Sequence, residues 1–422
     1  MSKKGKKQPK INYSKQQRAQ AHSNTAQVPF DTKAARVQRA TPKSAQPSPV
    51  VSLEPLAPLI VRSGRPFDDQ AGADAPRFPP PSTLAGCLRT AWARANQQDF
   101  GPELAGLAVS APLLLRLHDA GERRWLAPKP ADAQYFGHDA EAVCLRLEPS
   151  EFEDGGGADL PEGLRPLRLS ESVKGKASKG PAWWDWEDLL AFRRGQPLSH
   201  KTLTARGWSP PSGDRRTHVA IDAATLAAES GRLFQTEGLD LEPDNQWLKQ
   251  SETPRLRLLA RCAEPLPGGV VHLGGERRLA RLHPEPETAW PRPPADWWSR
   301  IAHQGGLTLT LLTPGAFAAG YRPGWLDATL TGEPPLAPGV RLQLLAAAVE
   351  RWQPHSGWDL FRQEPRPTRK LVGTGATYWF RLLDAATPAA LAPLWLASLC
   401  DLEQDRRDGY GLALPAPWTP TD

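Results

Sequence analysis

The sequence lacks the motifs that mark common catalytic and phosphate-binding sites. It contains no G-x-x-x-x-G-K-[ST] loop for a nucleotide phosphate and no G-x-S-x-G turn for a nucleophilic serine. Two His-Asp dipeptides, at 118–119 and 138–139, resemble metal ligands, but no further His or Asp cluster at ligand spacing accompanies them. We therefore predict that the chain has no metal, no cofactor and no enzymatic activity.

Cysteine is scarce, and long apolar runs are missing. The four cysteines form no C-x-x-C pair, which argues against a zinc ribbon and a disulfide framework. They are expected to be small buried apolar residues in a reduced cytoplasm. No apolar stretch approaches the roughly 18 residues of a membrane span, and no apolar segment follows the basic N-terminus as a secretory signal requires. The sequence therefore predicts a cytoplasmic protein without membrane contact.

Basic residues are plentiful but unevenly distributed. Residues 1–50 carry eight Lys, three Arg and one acidic residue, a net charge of +10, so the overall +6 leaves −4 for residues 51–422. Having little apolar content, residues 1–49 are predicted to be a disordered basic tail, either solubilising or adding non-specific RNA affinity. Because the body is mildly acidic, it can bind a polyanion only at a local basic patch.

The hydrophobic pattern predicts an α+β protein of two domains, spanning 50–304 and 305–422. A strand begins at Val50, and an amphipathic helix follows with Ser82 or Thr83 as its N-cap. Alternating residues after Arg215 predict a hairpin with its turn at 229–231. A second amphipathic helix is predicted over 340–352. Further strands are predicted at 256–263, 307–312 and 378–383.

Several arginine clusters lie beside glycines. The guanidinium group suits phosphate because its planar fork donates two parallel hydrogen bonds, and glycine lets a backbone amide approach an anion closely. Any one such cluster is better explained as a solvated surface, whereas several of them in an acidic body favour an anion-binding role. Gly409-Tyr410-Gly411 is either a tight turn or a glycine loop against an RNA backbone, with Tyr410 available to stack on a base. The basic clusters occur at 215–218, 274–278 and 366–370.

Taken in order, a series of short segments resembles the third-named subunit family of the Cmr module, RAMP proteins of type III-B CRISPR systems. The resemblance covers residues 50 to 414, and the basic tail is not part of it. Each segment is short, but the series as a whole is specific. The segments are 56–67, 79–90, 216–219, 231–234, 273–278, 319–323, 356–359, 365–369 and 409–412.

The resemblance implies two facing ferredoxin-like (RRM-like) RAMP domains with a protruding β-hairpin and a C-terminal glycine-rich loop. It implies a non-catalytic subunit that binds the 5′ tag of CRISPR RNA. Its partners would be the large polymerase/cyclase subunit and the backbone RAMP subunits, with target RNA contacted indirectly. A rival reading is a RAMP-fold endoribonuclease that processes CRISPR RNA with His218 as general acid or base. The candidate RNA-binding residues are Arg62, Arg65, Ser82, Thr83, Arg89, Arg215, Arg216, His218, Gly274, Gly275, Arg277, Arg278, Arg366, Arg369, Lys370, Gly409, Tyr410 and Gly411.

Overall fold

A computed structural model describes most of the body of the chain. The described residues are 46–61, 78–118, 122–137, 142–173, 175–211, 213–241, 255–359 and 364–421. They belong to one compact unit, Ser44–Asp422, and a separate unit comprises Met1–Lys43. The candidate residues Arg62 and Arg65, and residues 1–45 of the predicted tail, lie outside the described residues.

The described part of the chain is strand-rich with few helices, and its elements are numbered within that part, so the predicted mixture of helix and strand is confirmed. Among the described residues, no helix is long and apolar enough to cross a membrane. The helices are α1 (Pro81–Ala95), α2 (Trp186–Arg193), α3 (His200–Arg206), α4 (Trp297–Gln304), α5 (Pro388–Leu391) and α6 (Glu403–Asp408), with 3₁₀ turns at Pro102–Gly106, Glu287–Ala289 and Ala392–Leu394. The strands are β1 (Ser48–Pro55), β2 (Val109–Leu117), β3 (Arg123–Pro128), β4 (Ala133–Phe136), β5 (Val143–Pro149), β6 (Leu167–Leu169), β7 (Trp183–Asp185), β8 (Asp214–Ile221), β9 (Ala228–Gly238), β10 (Arg255–Leu266), β11 (Gly269–His272), β12 (Leu279–Pro284), β13 (Gly306–Leu311), β14 (Thr331–Gly332), β15 (Leu342–Ala348), β16 (Gln353–His355), β17 (Trp358–Asp359), β18 (Glu364–Pro365), β19 (Arg369–Leu371), β20 (Thr377–Leu382), β21 (Ala397–Ser398) and β22 (Leu412–Pro417).

Two antiparallel sheets form the framework. The first has the order β11-β12-β1-β10-β2-β3-β7, and the second has the order β14-β15-β20-β13-β22-β21. A smaller three-stranded sheet has the order β4-β5-β6, and two-stranded ribbons pair β8 with β9, β16 with β19, and β17 with β18. The strands predicted at 256–263, 307–312 and 378–383 are therefore confirmed as β10, β13 and β20.

Both sheets contain four strands in the same spatial arrangement. In the first sheet β1 lies between β12 and β10, and β2 lies beyond β10; in the second, β13 lies between β22 and β20, and β15 lies beyond β20. A ferredoxin-like unit combines four such strands with two helices. In the first sheet α1 joins β1 to β2. Along the chain, however, the short strand β11 follows β10 and precedes β12, at the place where a ferredoxin-like unit has its second helix. In the second sheet α5 and α6 follow β20, whereas an irregular segment links β13 to β14.

Apolar packing joins the two sheets into one core. Alternation along the strands places Leu113 and Leu259 of the first sheet in the same buried cluster as Leu309 and Phe380 of the second. The opposite face of the first sheet packs against α1 through a separate cluster that includes Leu88. Each such fully buried side chain contributes about 1.5–3 kcal/mol relative to an exposed one. The first sheet is thus covered on both faces, by α1 on one side and by the second sheet on the other.

The segment predicted as a second amphipathic helix, 340–352, is a strand instead. Residues Leu342–Ala348 form β15, which pairs with β20 from Leu342↔Leu382 to Ala348↔Thr377. Its alanines favour a helix when considered alone. Pairing with β20 nevertheless buries Leu344, Ala346 and Ala348, so tertiary packing overrides the local propensity.

Two local boundaries also differ from the sequence-based expectations. Helix α1 begins at Pro81 after Pro80, so Ser82 and Thr83 lie inside the helix and neither is its N-cap. Proline suits the first helical position because its N–H would be unpaired there anyway. The hairpin is confirmed, but its turn lies at 222–227, where the Asp222 carboxylate accepts hydrogen bonds from two backbone N–H groups.

The cysteines are free thiols. Three of them are buried, as predicted, whereas Cys144 is only half-buried. Burial raises the pKa of Cys87, and that of Cys400, to about 12. These two thiols therefore remain protonated at neutral pH and act as small apolar residues.

Candidate nucleic-acid interface

Three motifs that are far apart in the sequence meet at Tyr410. The Ser82 hydroxyl of α1 lies 2.9 Å from the Tyr410 hydroxyl, which lies 2.8 Å from Nε2 of His355 in β16. Strand β16 pairs with β19 so that His355 lies opposite Arg369. Residues from the 79–90, 365–369 and 409–412 segments thus form one group, which we call the Tyr410 cluster: Ser82, His355, Arg369, Asp405 and Tyr410.

Arg369 is the cation of the Tyr410 cluster. Its Nη1 donates to both carboxylate oxygens of Asp405, at 2.7 and 2.9 Å, and its guanidinium carbon lies 5.6 Å from the Tyr410 ring centroid. Burial works against the charged form, but the hydrogen bond and charge of Asp405 raise the pKa of Arg369 above its ordinary value. The side chain remains 39% exposed, so the cation can still meet a ligand from solvent.

Arg89 connects α1 to the end of α6. Its Nη1 lies 2.6 Å from the Asp408 carboxylate, Nη2 donates to the carbonyl oxygen of Arg407, and Nε donates to that of Leu107. Only 11% of the side chain is exposed. All three nitrogens of this candidate RNA-binding residue are therefore engaged within the protein, where they join the helix on the first sheet to the segment that precedes β22.

Tyr410 is not available for base stacking in this structure. Its side chain is fully buried, and burial raises the pKa of its hydroxyl to about 12. Because both neighbouring hydrogen bonds are internal, the ring fixes the position of Ser82 and His355. The expectation that Tyr410 presents its ring to RNA is therefore corrected: it is a packing residue at the centre of the cluster.

The glycines on either side of Tyr410 accommodate the protein's own backbone. Gly409 has a φ of +89°, and a Cβ atom there would lie 2.8 Å from backbone atoms of Val109 and Ala111 in β2. Gly411 has a φ of +69°, and a Cβ atom would meet the Cys400 sulfur at 2.6 Å. Of the two readings of Gly409-Tyr410-Gly411, the tight turn accounts for both glycines, because they pack against β2 and the segment before α6.

The basic turn at 274–278 carries two residues in an unusual conformation. Glu276 and Arg277 both have a φ of +53°, although neither is glycine. Gly274 and Gly275 pack against Ile60, whose carbonyl oxygen accepts a hydrogen bond from the Gly275 N–H at 2.7 Å. Left-handed backbone costs a non-glycine residue roughly 1–2 kcal/mol. Arg277 is exposed, and it makes no hydrogen bond or ion pair with any residue that the structure describes.

The strain in this turn predicts opposite effects for two substitutions. Glu276→Gly should leave stability unchanged or raise the free energy of unfolding by about 0.5 kcal/mol, since relief of strain exceeds the added chain entropy. Gly274→Ala should lower it by about 2 kcal/mol, because the new Cβ atom would lie 2.8 Å from the Ile60 carbonyl oxygen. Urea unfolding of both variants measures the difference. A clear loss of stability in Glu276→Gly would show that the turn is not strained.

The hairpin of β8 and β9 holds the other arginine motif. Arg215 pairs with Glu237 and Arg216 with Asp214, and more than half of each arginine side chain is exposed. Such exposed pairs contribute only about 0–1 kcal/mol and exchange readily for a ligand phosphate. Their pairing partners lie within the hairpin, so these contacts do not join the two arginines to the Tyr410 cluster.

His218 has surroundings that suit packing better than proton transfer. Its Nε2 lies 2.8 Å from the Thr236 hydroxyl, and its ring stacks on Phe234 at 5.1 Å. Neither neighbour is a carboxylate that could orient or charge an imidazole for general acid or base chemistry. Among the residues that the structure describes, no group of three His, Cys, Asp or Glu side chains could hold a metal ion.

The contacts therefore divide the candidate residues into three groups. Ser82 and Arg369 contact Tyr410 of the 409–411 loop, and Arg89 binds Asp408 just before that loop; the 274–278 turn packs on Ile60; and the arginines at 215–216 remain on the hairpin. Exposed Lys370 follows Arg369, and exposed Arg366 precedes β19, with its N–H bonded to Gly357. Sequence analysis missed His355, Asp405 and Asp408, because only strand pairing and helix packing bring them to the site.

A family model and two solved structures resemble this chain. The model described as CRISPR-associated protein (Cas_Cmr3) matches residues 51–418. One chain of a cryo-EM structure of the type III-B Cmr-beta bound to cognate target RNA and AMPPnP is 12% identical; the match covers 78% of this chain and 86% of that chain, with a TM-score of 0.44. A chain of the type III-B Cmr-beta bound to cognate target RNA is 15% identical over the same shares, with a TM-score of 0.43. No curated protein matches the sequence.

Proposed function

The chain belongs to the CRISPR-associated Cas_Cmr3 family, and from this premise we propose that it is a non-catalytic subunit that grips the 5′ tag of CRISPR RNA in a type III-B Cmr effector complex. In this proposal it bridges the large polymerase/cyclase subunit to the RAMP backbone in the cytoplasm. Two ferredoxin-like domains, 50–304 and 305–422, provide the frame, and the β8–β9 hairpin is inserted in the first of them, between β7 and β10.

The family match is the observation that carries the proposal. It extends over residues 51–418, and all of the candidate RNA-binding residues fall inside that range. The geometry adds support, because exposed cations occur in three motifs, at 215–216, 277 and 366–370, of a body whose net charge is −4. Arg277 has no internal acid to neutralise it in the described part of the chain, and Arg369 keeps part of its side chain in solvent. Local basic patches of this kind are what an acidic body needs to hold RNA.

The direct test compares two RNAs that differ only in the tag. The full-length chain should bind a CRISPR RNA with its natural 5′ tag more tightly than one whose tag is replaced by an unrelated sequence. Copurification with the other subunits, followed by sequencing of the bound RNA, should recover tagged guides. Equal affinity for the two RNAs would contradict tag recognition. Cleavage of repeat RNA that His218→Ala abolishes would favour the endoribonuclease reading instead.

Charge reversal at two arginine motifs should weaken RNA binding. We expect Arg216→Glu combined with Arg277→Glu to lower affinity for tagged RNA by about tenfold at physiological salt, because two phosphate contacts are lost and replaced by repulsion. The dependence of log K on log salt should become shallower by about one to two units. Binding titrations at several salt concentrations provide both values.

The matched control reverses two arginines outside the resembling segments. Arg168 and Arg300 are also partly exposed, and each pairs with an acid, Glu153 and Asp296, as Arg216 does with Asp214. Arg168→Glu with Arg300→Glu therefore makes the same change in net charge at other places on the surface. If this control weakens binding as much as the first double variant does, the effect reflects overall charge, and the assignment of Arg216 and Arg277 to the RNA path is wrong.

A further inference from the structure

Trp352 is an exposed aromatic side chain beside the Tyr410 cluster. It lies in the link between β15 and β16, and 47% of it is accessible to solvent. Every other tryptophan for which the structure describes burial is buried or half-buried. Leaving a large indole in water forgoes the stabilisation that its burial would give. The exposed part of the indole is therefore accessible to a ligand or a partner.

One cation lies over this indole, and a second is its neighbour in the chain. The Lys370 ammonium of β19 lies over the ring, 4.9 Å from its centroid, because β16 and β19 pair as a two-stranded ribbon. Arg351, the residue before Trp352, is exposed and has no hydrogen bond or ion pair with any described residue. An aromatic face with flanking cations combines the two elements that hold single-stranded nucleic acid: stacking on a base and attraction to the adjacent phosphates.

The same ribbon leads from Trp352 to the Tyr410 cluster. Three residues after Trp352, His355 contacts the Tyr410 hydroxyl and lies opposite Arg369 in the strand pairing. Lys370 is the neighbour of Arg369 in the chain, so the cation over the indole and the half-exposed cation of the cluster lie on one short strand. Arg369 and the cation over the indole are therefore held by the same two-stranded ribbon, on its opposite faces because successive side chains of a strand alternate in direction.

We propose that Trp352 is the stacking platform for one unpaired base of the bound RNA, with Lys370 and Arg351 contacting the phosphates beside that base. The inference rests on the proposed function, since it names where the RNA would stack. Stacking suits this site because the π-face of a base is recognised without a fixed hydrogen-bond pattern, and RNA bases in unpaired segments are free to present it.

Three variants of the full-length chain test the platform. Trp352→Ala should weaken binding of tagged RNA on the order of five-fold to a hundred-fold, the range found when one stacking aromatic is removed. Trp352→Phe should retain most of the affinity, because it keeps a ring. Phe100→Ala is the matched control: Phe100 is 58% exposed and has the Arg94 guanidinium 6.0 Å from its ring centroid, but it lies just beyond α1. It should bind RNA as the unmodified chain does.

Single abasic nucleotides separate stacking from a structural role. One abasic position in the RNA should weaken binding to the unmodified chain but not to Trp352→Ala, since the missing base and the missing indole remove the same contact. Circular dichroism and thermal unfolding establish that each variant is folded.

The remaining outcomes overturn the inference in distinguishable ways. If the unmodified chain binds tagged RNA and folded Trp352→Ala binds it equally well, the platform is wrong and the proposed function stands. If Trp352→Ala binds RNA normally but no longer copurifies with the other subunits, the indole contacts protein and the RNA assignment is again wrong. If the unmodified chain has no affinity for CRISPR RNA, the proposed function fails and this inference fails with it.

Discussion

Arg193→Ala should lower the free energy of unfolding by about 3–5 kcal/mol, because it leaves a buried carboxylate without its partner. The two guanidinium Nη atoms of Arg193 in α2 donate to the two oxygens of Asp132, at 2.6 and 2.8 Å, and Nη2 also donates to the Thr377 hydroxyl in β20. The side chains of Arg193 and Asp132 are 3% and 0% exposed. This ion pair therefore links α2, the segment before β4 and the second sheet.

The measurement is chemical unfolding of the full-length chain followed by tryptophan fluorescence. Arg168→Ala is the control, because its partner Glu153 is 76% exposed and a surface pair contributes about 0–1 kcal/mol. Replacing both members, as in Arg193→Met with Asp132→Leu, should recover much of the lost stability, since no charge then remains buried. Equal losses for Arg193→Ala and Arg168→Ala would contradict this account of the buried pair.

Gly409→Ala should cost about 3 kcal/mol or more and should disturb the Tyr410 cluster. At a φ of +89° an alanine is strained by roughly 1–2 kcal/mol, and its Cβ atom would lie 2.8 Å from the backbone of Val109 and Ala111. Backbone at the start of β2 cannot yield as a flexible side chain would, so overpacking adds about 1–3 kcal/mol. Any relief must move the 409–411 loop, and with it the Tyr410 hydroxyl that contacts Ser82 and His355.

Gly320→Ala isolates the part of that cost that comes from backbone strain alone. Gly320 has a φ of +82°, close to that of Gly409, but no atom lies within 4 Å of the position that its Cβ would take. We expect this control to lose about 1–2 kcal/mol and to keep its RNA affinity. A loss in Gly320→Ala as large as that in Gly409→Ala would show that steric contact with β2 contributes nothing.

The strongly patterned segments of the chain were predictable, and one Ala-rich segment was not. Helix α1 and strands β10, β13 and β20 have clear apolar periodicity, and the structure has them where expected. The 340–352 segment reads as a helix because its apolar residues fit helical spacing and alanine favours helix. Only the position of its neighbour β20 makes Leu342–Ala348 a strand, and that pairing joins residues 29 to 40 positions apart.

The candidate site shows the same division between local and tertiary information. Motif order in the sequence was enough to recognise the family and to name Ser82, Arg369 and the 409–411 loop. It did not indicate that Tyr410 is buried, that Arg89 bonds with Asp408 and two carbonyl groups, or that Gly409 packs on β2. These are contacts between elements, and residue spacing within one element carries no information about them.

The sequence by itself determined the mixed α/β composition, the family and the local basic motifs, because periodicity, motif order and charge are properties of the chain. Tertiary structure alone decided which arginines are engaged within the protein and which keep access to solvent. Arg89 is held by three internal acceptors, whereas Arg277 is presented on a strained turn. The physical reason is that a guanidinium group forms hydrogen bonds with whichever acceptor the tertiary packing brings within about 3 Å. That packing joins residues far apart in the sequence, such as Arg89 and Asp408, which are separated by more than three hundred positions.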